Sequence, residues 1–236
     1  MQIIPVIDLM GGQVVQAYRG QRQHYAPLRS PLSPDAGPVS VVSGLMRLAA
    51  FATVYVADLD AILGSAPQSA IIAELLQRFP DTVFWVDAGL PLEPPVRTGR
   101  PGQWVPVLGS ESLTEATLGE LARWQADCVL SLDFRDDQPL GPGRIFREAD
   151  RWPRDVILMT LGRVGSLEGP DLGRLESHVR RYPGHRLIAA GGVRHVADLE
   201  SLQQAGAAAV LVASAIHRQW LDAAVIRRFN AETVSR

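Results

Sequence analysis

The chain contains no lysine: all 23 of its basic residues are arginine. That excludes a Schiff base on a lysine amine, and with it the aldolase and lyase mechanisms that need one. A single cysteine, Cys128, leaves no intramolecular disulfide and no cysteine-based metal site, which fits a reducing compartment. Its position inside an apolar run makes it a packing residue. The five histidines, His24, His178, His185, His195 and His217, show no metal-ligand spacing, so neither metal nor redox cofactor is expected. None of Ser43, Ser65 and Ser110 stands in a G-x-S-x-G elbow. The five tryptophans are too scattered to form a stacking surface. No stretch is long and apolar enough to span a membrane, and nothing at the N-terminus reads as a signal peptide, so a cytoplasmic location is expected. A formal net charge of -2 leaves no electrostatic case for nucleic acid or an anionic membrane as partner. A small-molecule ligand is the better expectation. The oligomeric state leaves no mark on the sequence.

What is present is alternation. With 236 residues, 47% of them hydrophobic, the chain has ample material for a full core. Short runs rich in Val, Ile, Leu and Ala fall at 2–7, 53–58, 82–87, 104–108, 127–133, 155–160, 186–190 and 208–213. Amphipathic stretches such as Gln68–Arg78, Leu113–Gln125, Asp171–Tyr182 and Ala197–Ala205 lie between them. Eight βα units over this length predict a (β/α)8 TIM barrel, one domain over residues 1–236. A doubly wound open sheet is the alternative, but no G-x-G-x-x-G follows the first strand. The segment Gly11–Val39 is long, polar and rich in proline, as expected of a functional loop over a site. The second half echoes the first: VIDL against SLDF, WVDAGL against IAAGGV, and VLGS against LVAS. That order predicts a half-barrel repeat.

Two of the predicted strands end in a carboxylate, Asp8 after QIIPVI and Asp133 after CVLSL. Strand ends at the carboxyl edge of a barrel deliver catalytic groups, and in a half-barrel repeat the first and fifth strands face each other across the mouth. Two acids in a pocket of restricted polarity can hold different protonation states, one serving as acid and the other as base. The plain alternative is that both cap the helices that follow. Gly191-Gly192 after the seventh strand would let backbone N–H groups approach an anion, and Ala213-Ser214 after the eighth would complete a phosphate site.

The segments IIPVIDLMGGQVV, VYVADLDAILG, SLDFRDD, LGRVGSLEGPD and LIAAGGVRHVADLESL together resemble the histidine-biosynthesis barrel family, and more closely its ProFAR isomerase branch than its cyclase branch. The resemblance covers nearly the whole chain. It implies a duplicated half-barrel that binds phosphorylated ribose through glycine-rich turns. It also implies two aspartates that carry an Amadori rearrangement of an aminoaldose to an aminoketose. The family's two acids fall on Asp8, as base, and Asp133, as acid; its sixth-strand threonine falls on Thr160, which would orient the sugar hydroxyls. Asp58 and Asp60 match the family's DLD and read as structural. Ala213 stands where the family usually has glycine, so the backbone there must keep a negative φ.

The departures bear on the substrate. Where the isomerase has a triple glycine for its other phosphate, this chain has Asp87-Ala88-Gly89-Leu90-Pro91, and Gly109-Ser110-Glu111 brings a second acid nearby. A carboxylate there would repel a phosphate, so that end is expected to take something uncharged or cationic. The family's Arg-Asp-Gly-Thr after the sixth strand is altered and shortened to Arg163-Val164-Gly165-Ser166. The loop 16–30 is similar instead to a divergent sister group of isomerase-related proteins from methanogens and methylotrophs. Its Arg19, Arg22, His24, Tyr25 and Arg29 would close over an anionic ligand, or else form a solvated basic loop. The expectation is an isomerase for a singly phosphorylated, ribosylamine-like substrate, contacted by Arg19, Arg22, Asp87, Gly109 and Ser110. The alternative is a phosphate-binding, complex-forming barrel without turnover.

Overall fold

The computed structural model describes residues 1–90, 100–124, 126–166 and 168–234. Eight parallel strands form its frame: β1 (Gln2–Met10), β2 (Thr53–Asp58), β3 (Val83–Asp87), β4 (Trp104–Gly109), β5 (Val129–Arg135), β6 (Asp155–Thr160), β7 (Arg186–Ala190) and β8 (Ala209–Val212). Each pairs with its neighbour in chain order, and β8 returns to β1 through Gln2↔Ala209 to Pro5↔Val212, which closes a TIM barrel. Closure leaves the strands buried on both faces, hence their near-continuous Val, Ile, Leu and Ala content.

Because strand side chains alternate, one parity of each strand fills the barrel. Ile4, Tyr55, Trp85, Val107, Val129, Ile157, Ile188 and Ala209 pack together inside, one from each strand. The other parity, including Ile3, Ile7, Val54, Val56, Phe84, Leu108, Leu130 and Leu132, packs outward into the layer beneath the helices.

The helices are α1 (Pro38–Leu48), α2 (Leu59–Ile62), α3 (Ser69–Arg78), α4 (Leu118–Trp124), α5 (Leu172–Arg181), α6 (Val196–Gln204), α7 (Ser214–His217) and α8 (Ala223–Val234). Local chemistry sets their starts. Pro38 occupies the first turn of α1, Asp58 accepts from Ala61 N–H at the head of α2, and Asp171 accepts from Arg174 N–H at the head of α5. The expected helix from Leu113 begins only at Leu118, because Thr114 and Thr117 exchange side-chain and backbone hydrogen bonds that hold a turn first. Its expected last residue, Gln125, lies outside the described residues, as does Pro91.

Between β5 and β6 there is no α-helix. Glycines 141 and 143 around Pro142 break the chain, a 3-10 turn occupies Ala149–Arg151, and buried Trp152 fills the helix position by donating its indole N–H to the Ile145 carbonyl at 2.6 Å. No helix among the described residues is long and apolar enough to cross a membrane.

Half-barrel repetition shows at the rim. β1 and β5 both run past their aspartates and turn back antiparallel, β1 onto Gln13–Gln16 and β5 onto Gln138–Pro139. The long loop after β1 is therefore a structured cover, with its own Val14 and Leu28 buried.

Candidate active site

Strand parity gathers the acids. Asp8 follows Ile4 and Val6 on the inner face of β1, Asp87 follows Trp85 on β3, and Asp133 follows Val129 and Ser131 on β5. All three line one cavity of about 360 Å³ at the carboxyl end of the barrel. Neither Asp8 nor Asp133 caps a helix; both lie within strands that continue beyond them. Asp58, by contrast, accepts from Ala61 and Gln68 N–H groups, and Asp60 accepts from Gly11 N–H, so both are structural.

Asp133 is held from three sides. Ser131 Oγ donates to Oδ1 at 2.7 Å, while Ser110 Oγ and the Glu111 N–H donate to Oδ2 at 3.2 and 3.0 Å. Burial nonetheless raises its carboxyl to about 7, with Asp87 and Glu111 adding repulsion against those hydrogen bonds. Asp8 is also raised to about 7 by burial, with the Arg22 guanidinium opposing. Among the described residues no hydrogen-bond donor reaches the Asp8 carboxylate. Asp87 accepts from Tyr55 Oη at 3.3 Å and from Gly89 N–H at 3.2 Å, and burial lifts it to about 6.

Gly109 lines no wall of its own. A Cβ there would stand 3.2 Å from an Asp87 oxygen and 3.4 Å from an Asp133 oxygen, so glycine leaves room for the two carboxylates to flank it. Ser110 is fully buried and positions Asp133 rather than facing the cavity.

The opposite wall carries Gly191, Gly192, Ala213 and Ser214, joined by Arg29, Arg218 and His217. Gly191 and Gly192 have φ of 100° and 85°, which side-chain-bearing residues rarely adopt. Ala213 keeps φ at -116°, as its Cβ requires. Arg29 and Arg218 are exposed at the rim, and neither makes an ion pair among the described residues. The cavity thus carries Asp87, Asp133 and Glu111 with Arg22 on the β3–β5 side, the glycine turns with Arg29 and Arg218 on the β7–β8 side, and Asp8 on β1 next to β8.

Two expected residues lie elsewhere. On β6 it is Met159 that faces the cavity; Thr160, one residue out of phase, donates from Oγ1 to Asp171 Oδ2 at 3.3 Å and lines a separate surface cavity. Arg19 also lines that second cavity, pairing with Glu168. Arg22 does enter the main cavity and pairs with Glu111, and Tyr25 lines it too, its hydroxyl pushed up to about 12 by burial and by Asp8. The loop therefore docks on both sides of the mouth. Its Arg19 N–H donates to the Val164 carbonyl, and Gly165 lies so close to the Ala17 carbonyl that a Cβ would come within 2.3 Å. The altered Arg163–Ser166 turn is what receives it.

Met159, His217 and Arg218 are cavity residues that carry no motif, and Tyr55, also in the cavity, lies in the VYVADLDAILG segment. Tyr55 was reachable by parity, two residues before Ala57 on a strand already recognised. His217 was not, because its surroundings come from distant chain.

Comparison with known proteins agrees with this architecture. The family described as "Histidine biosynthesis protein" matches residues 144–222. An uncharacterized protein of Methanocaldococcus jannaschii is 29% identical over 228 residues, covering 94% of this chain and 96% of that one. A Myxococcus xanthus protein is 29% identical, covering 97% and 98%, and a Nitrosopumilus maritimus protein is 27% identical, covering 92% and 94%. Both are named 1-(5-phosphoribosyl)-5-((5-phosphoribosylamino)methylideneamino)imidazole-4-carboxamide isomerase, or ProFAR isomerase. With the closed barrel, this full-length similarity makes the chain similar to the ProFAR isomerases and, over residues 144–222, to the histidine-biosynthesis family.

Proposed function

We propose that this protein is an aldose–ketose isomerase that carries out an Amadori rearrangement on a singly phosphorylated, N-substituted ribosylamine. The observation that carries this reading is the cavity itself: Asp8 and Asp133 line it from the opposite strands β1 and β5, with Gly191, Gly192, Ser214, Arg29 and Arg218 on the β7–β8 side and Asp87 on β3.

The chemistry needs only proton transfers. An acid protonates the furanose ring oxygen, the C1–O bond breaks, and the nitrogen lone pair forms a protonated imine at C1. A base then removes the C2 proton, its electrons form an enaminol, and protonation at C1 with loss of the 2-hydroxyl proton gives the 1-amino-2-ketose. Nothing is gained or lost overall. By family resemblance Asp133 is the acid and Asp8 the base. Burial supports both roles, since carboxyls near 7 can be protonated or ionised at neutral pH. The Ser131, Ser110 and Glu111 donors hold the Asp133 carboxyl in one orientation, and Ser110 acts through it.

The anion wall formed by Gly191, Gly192 and Ser214 with Arg29 and Arg218 takes the phosphate. Across the cavity, Asp87 and Glu111 disfavour a second phosphate and stabilise the cationic nitrogen of the imine intermediate. Thr160 and Arg19 have no part in this account, since both lie outside the cavity.

Turnover of an N-substituted 5-phosphoribosylamine by the purified protein tests it. Asp8→Asn and Asp133→Asn each lower kcat by about a hundredfold or more with the fold intact by circular dichroism, on the scale of general acid–base catalysis. Full turnover in both variants would refute the reading. A wild-type protein that binds phosphate sugars but turns none over would favour a binding barrel instead.

A further inference from the structure

His217 is the one histidine that reaches the cavity, and neither motif nor spacing marks it. It ends α7, is 6% exposed, and stands on the wall that carries Gly191, Gly192 and Ser214. Its Nδ1 lies 3.0 Å from Ser30 Oγ, on the loop after β1 and 187 residues away in sequence. Burial lowers its ring to about 4, so it is neutral near pH 7 and carries a single N–H.

Which nitrogen holds that proton decides what the ring offers a ligand. Ser30 Oγ already accepts the Leu32 N–H at 3.2 Å. The hydroxyl keeps its hydrogen and a second lone pair, and we take the hydrogen to point at Nδ1. An imidazole that accepts at Nδ1 must carry its proton on Nε2. Among the described residues Nε2 has no hydrogen-bond partner.

We infer that His217 is a phosphate-binding residue of this site, a neutral donor that presents Nε2–H to a phosphate oxygen, with Ser30 as the positioning residue that fixes the tautomer. This rests on the anion-wall reading above and adds to it a residue and a protonation state. A neutral donor suits the place. Arg29 and Arg218 already supply charge at the rim, whereas a buried imidazolium would cost desolvation in every unliganded molecule. The arrangement also ties phosphate recognition to the cover, because Ser30 belongs to the same loop as Arg22 and Tyr25.

The test is titration of inorganic phosphate into wild-type protein, His217→Gln, His217→Phe and Ser30→Ala, followed by calorimetry. Gln keeps a side-chain N–H donor and Phe keeps the ring without one. His217→Phe is expected to weaken phosphate about ten- to a hundredfold, as loss of a hydrogen bond to a charged group does, and His217→Gln by less than about tenfold. Phosphate bound as tightly by His217→Phe as by wild type would overturn the role of His217 and leave the anion wall standing. Failure of the wild-type protein to bind phosphate would overturn both.

Should the Phe variant not fold, nitrogen-15 chemical shifts of the wild-type ring at neutral pH decide independently. The proton is expected on Nε2; a proton on Nδ1 overturns the proposal.

Discussion

Buried carboxyls that titrate near 7 cost the folded protein stability. Asp133 has a folded value of about 7 against 3.8 for an ordinary aspartate, so the folded chain binds its proton more tightly than the unfolded chain. The contribution of Asp133 to stability is therefore greatest below about pH 4, falls as pH rises towards 7, and levels off above it. Asp133→Asn removes that slope. At pH 8 the variant is expected to be more stable than wild type by on the order of 1–2 kcal/mol, less than the shift alone implies, because the amide N–H2 cannot accept from the Glu111 N–H. Urea denaturation at pH 5 and pH 8 measures it; an equal loss of stability at both would contradict it. Asp8 and Asp133 were legible in the sequence as acids within apolar strands. Thr160 came only from the family resemblance, and one residue of strand phase turns it from the cavity to Asp171, since matching a motif does not register phase. His217 was illegible because burial and Ser30, not its neighbours in sequence, define it.

Among the elements, the loop after β1 has the largest consequence. Arg19 ties it to Glu168 beside β6, and Arg22 ties it to Glu111 beside β4, so the cover is anchored on two sides of the mouth. Arg22 also lowers the Asp8 carboxyl against its burial. Arg22→Ala removes that attraction, so the Asp8 carboxyl rises further and the limb of the pH–rate profile that it governs moves to higher pH. A profile superimposable on wild type would show that Arg22 exerts no field at Asp8. The sequence marked this loop as functional by its length and polarity, and its hairpin and docking points could not be read there. The docking points depend on Val164, Gly165, Glu111 and Glu168, which share no local pattern with it. The eight strands were legible because burial on both faces leaves an apolar run. The absent helix after β5 was not, since the Trp152 plug replaces it only in three dimensions.

At the scale of the whole molecule, closure of the barrel brings the two halves into opposition. Their rims answer each other, with β1 and β5 extending into antiparallel hairpins, but the residues there differ: Asp87 and Ala88 of the first half stand where the second has Ala190 and Gly191. This difference underlies the proposal of one phosphate and one nitrogen cation at opposite ends of the cavity. The most direct measurement is proton NMR of the product formed from an N-substituted 5-phosphoribosylamine in deuterium oxide. The account predicts a 1-amino-2-ketose 5-phosphate with solvent deuterium at C1, formed by wild-type protein and not by Asp8→Asn. A ketose formed equally by Asp8→Asn, or an aldose returned unchanged by the wild type, would contradict it.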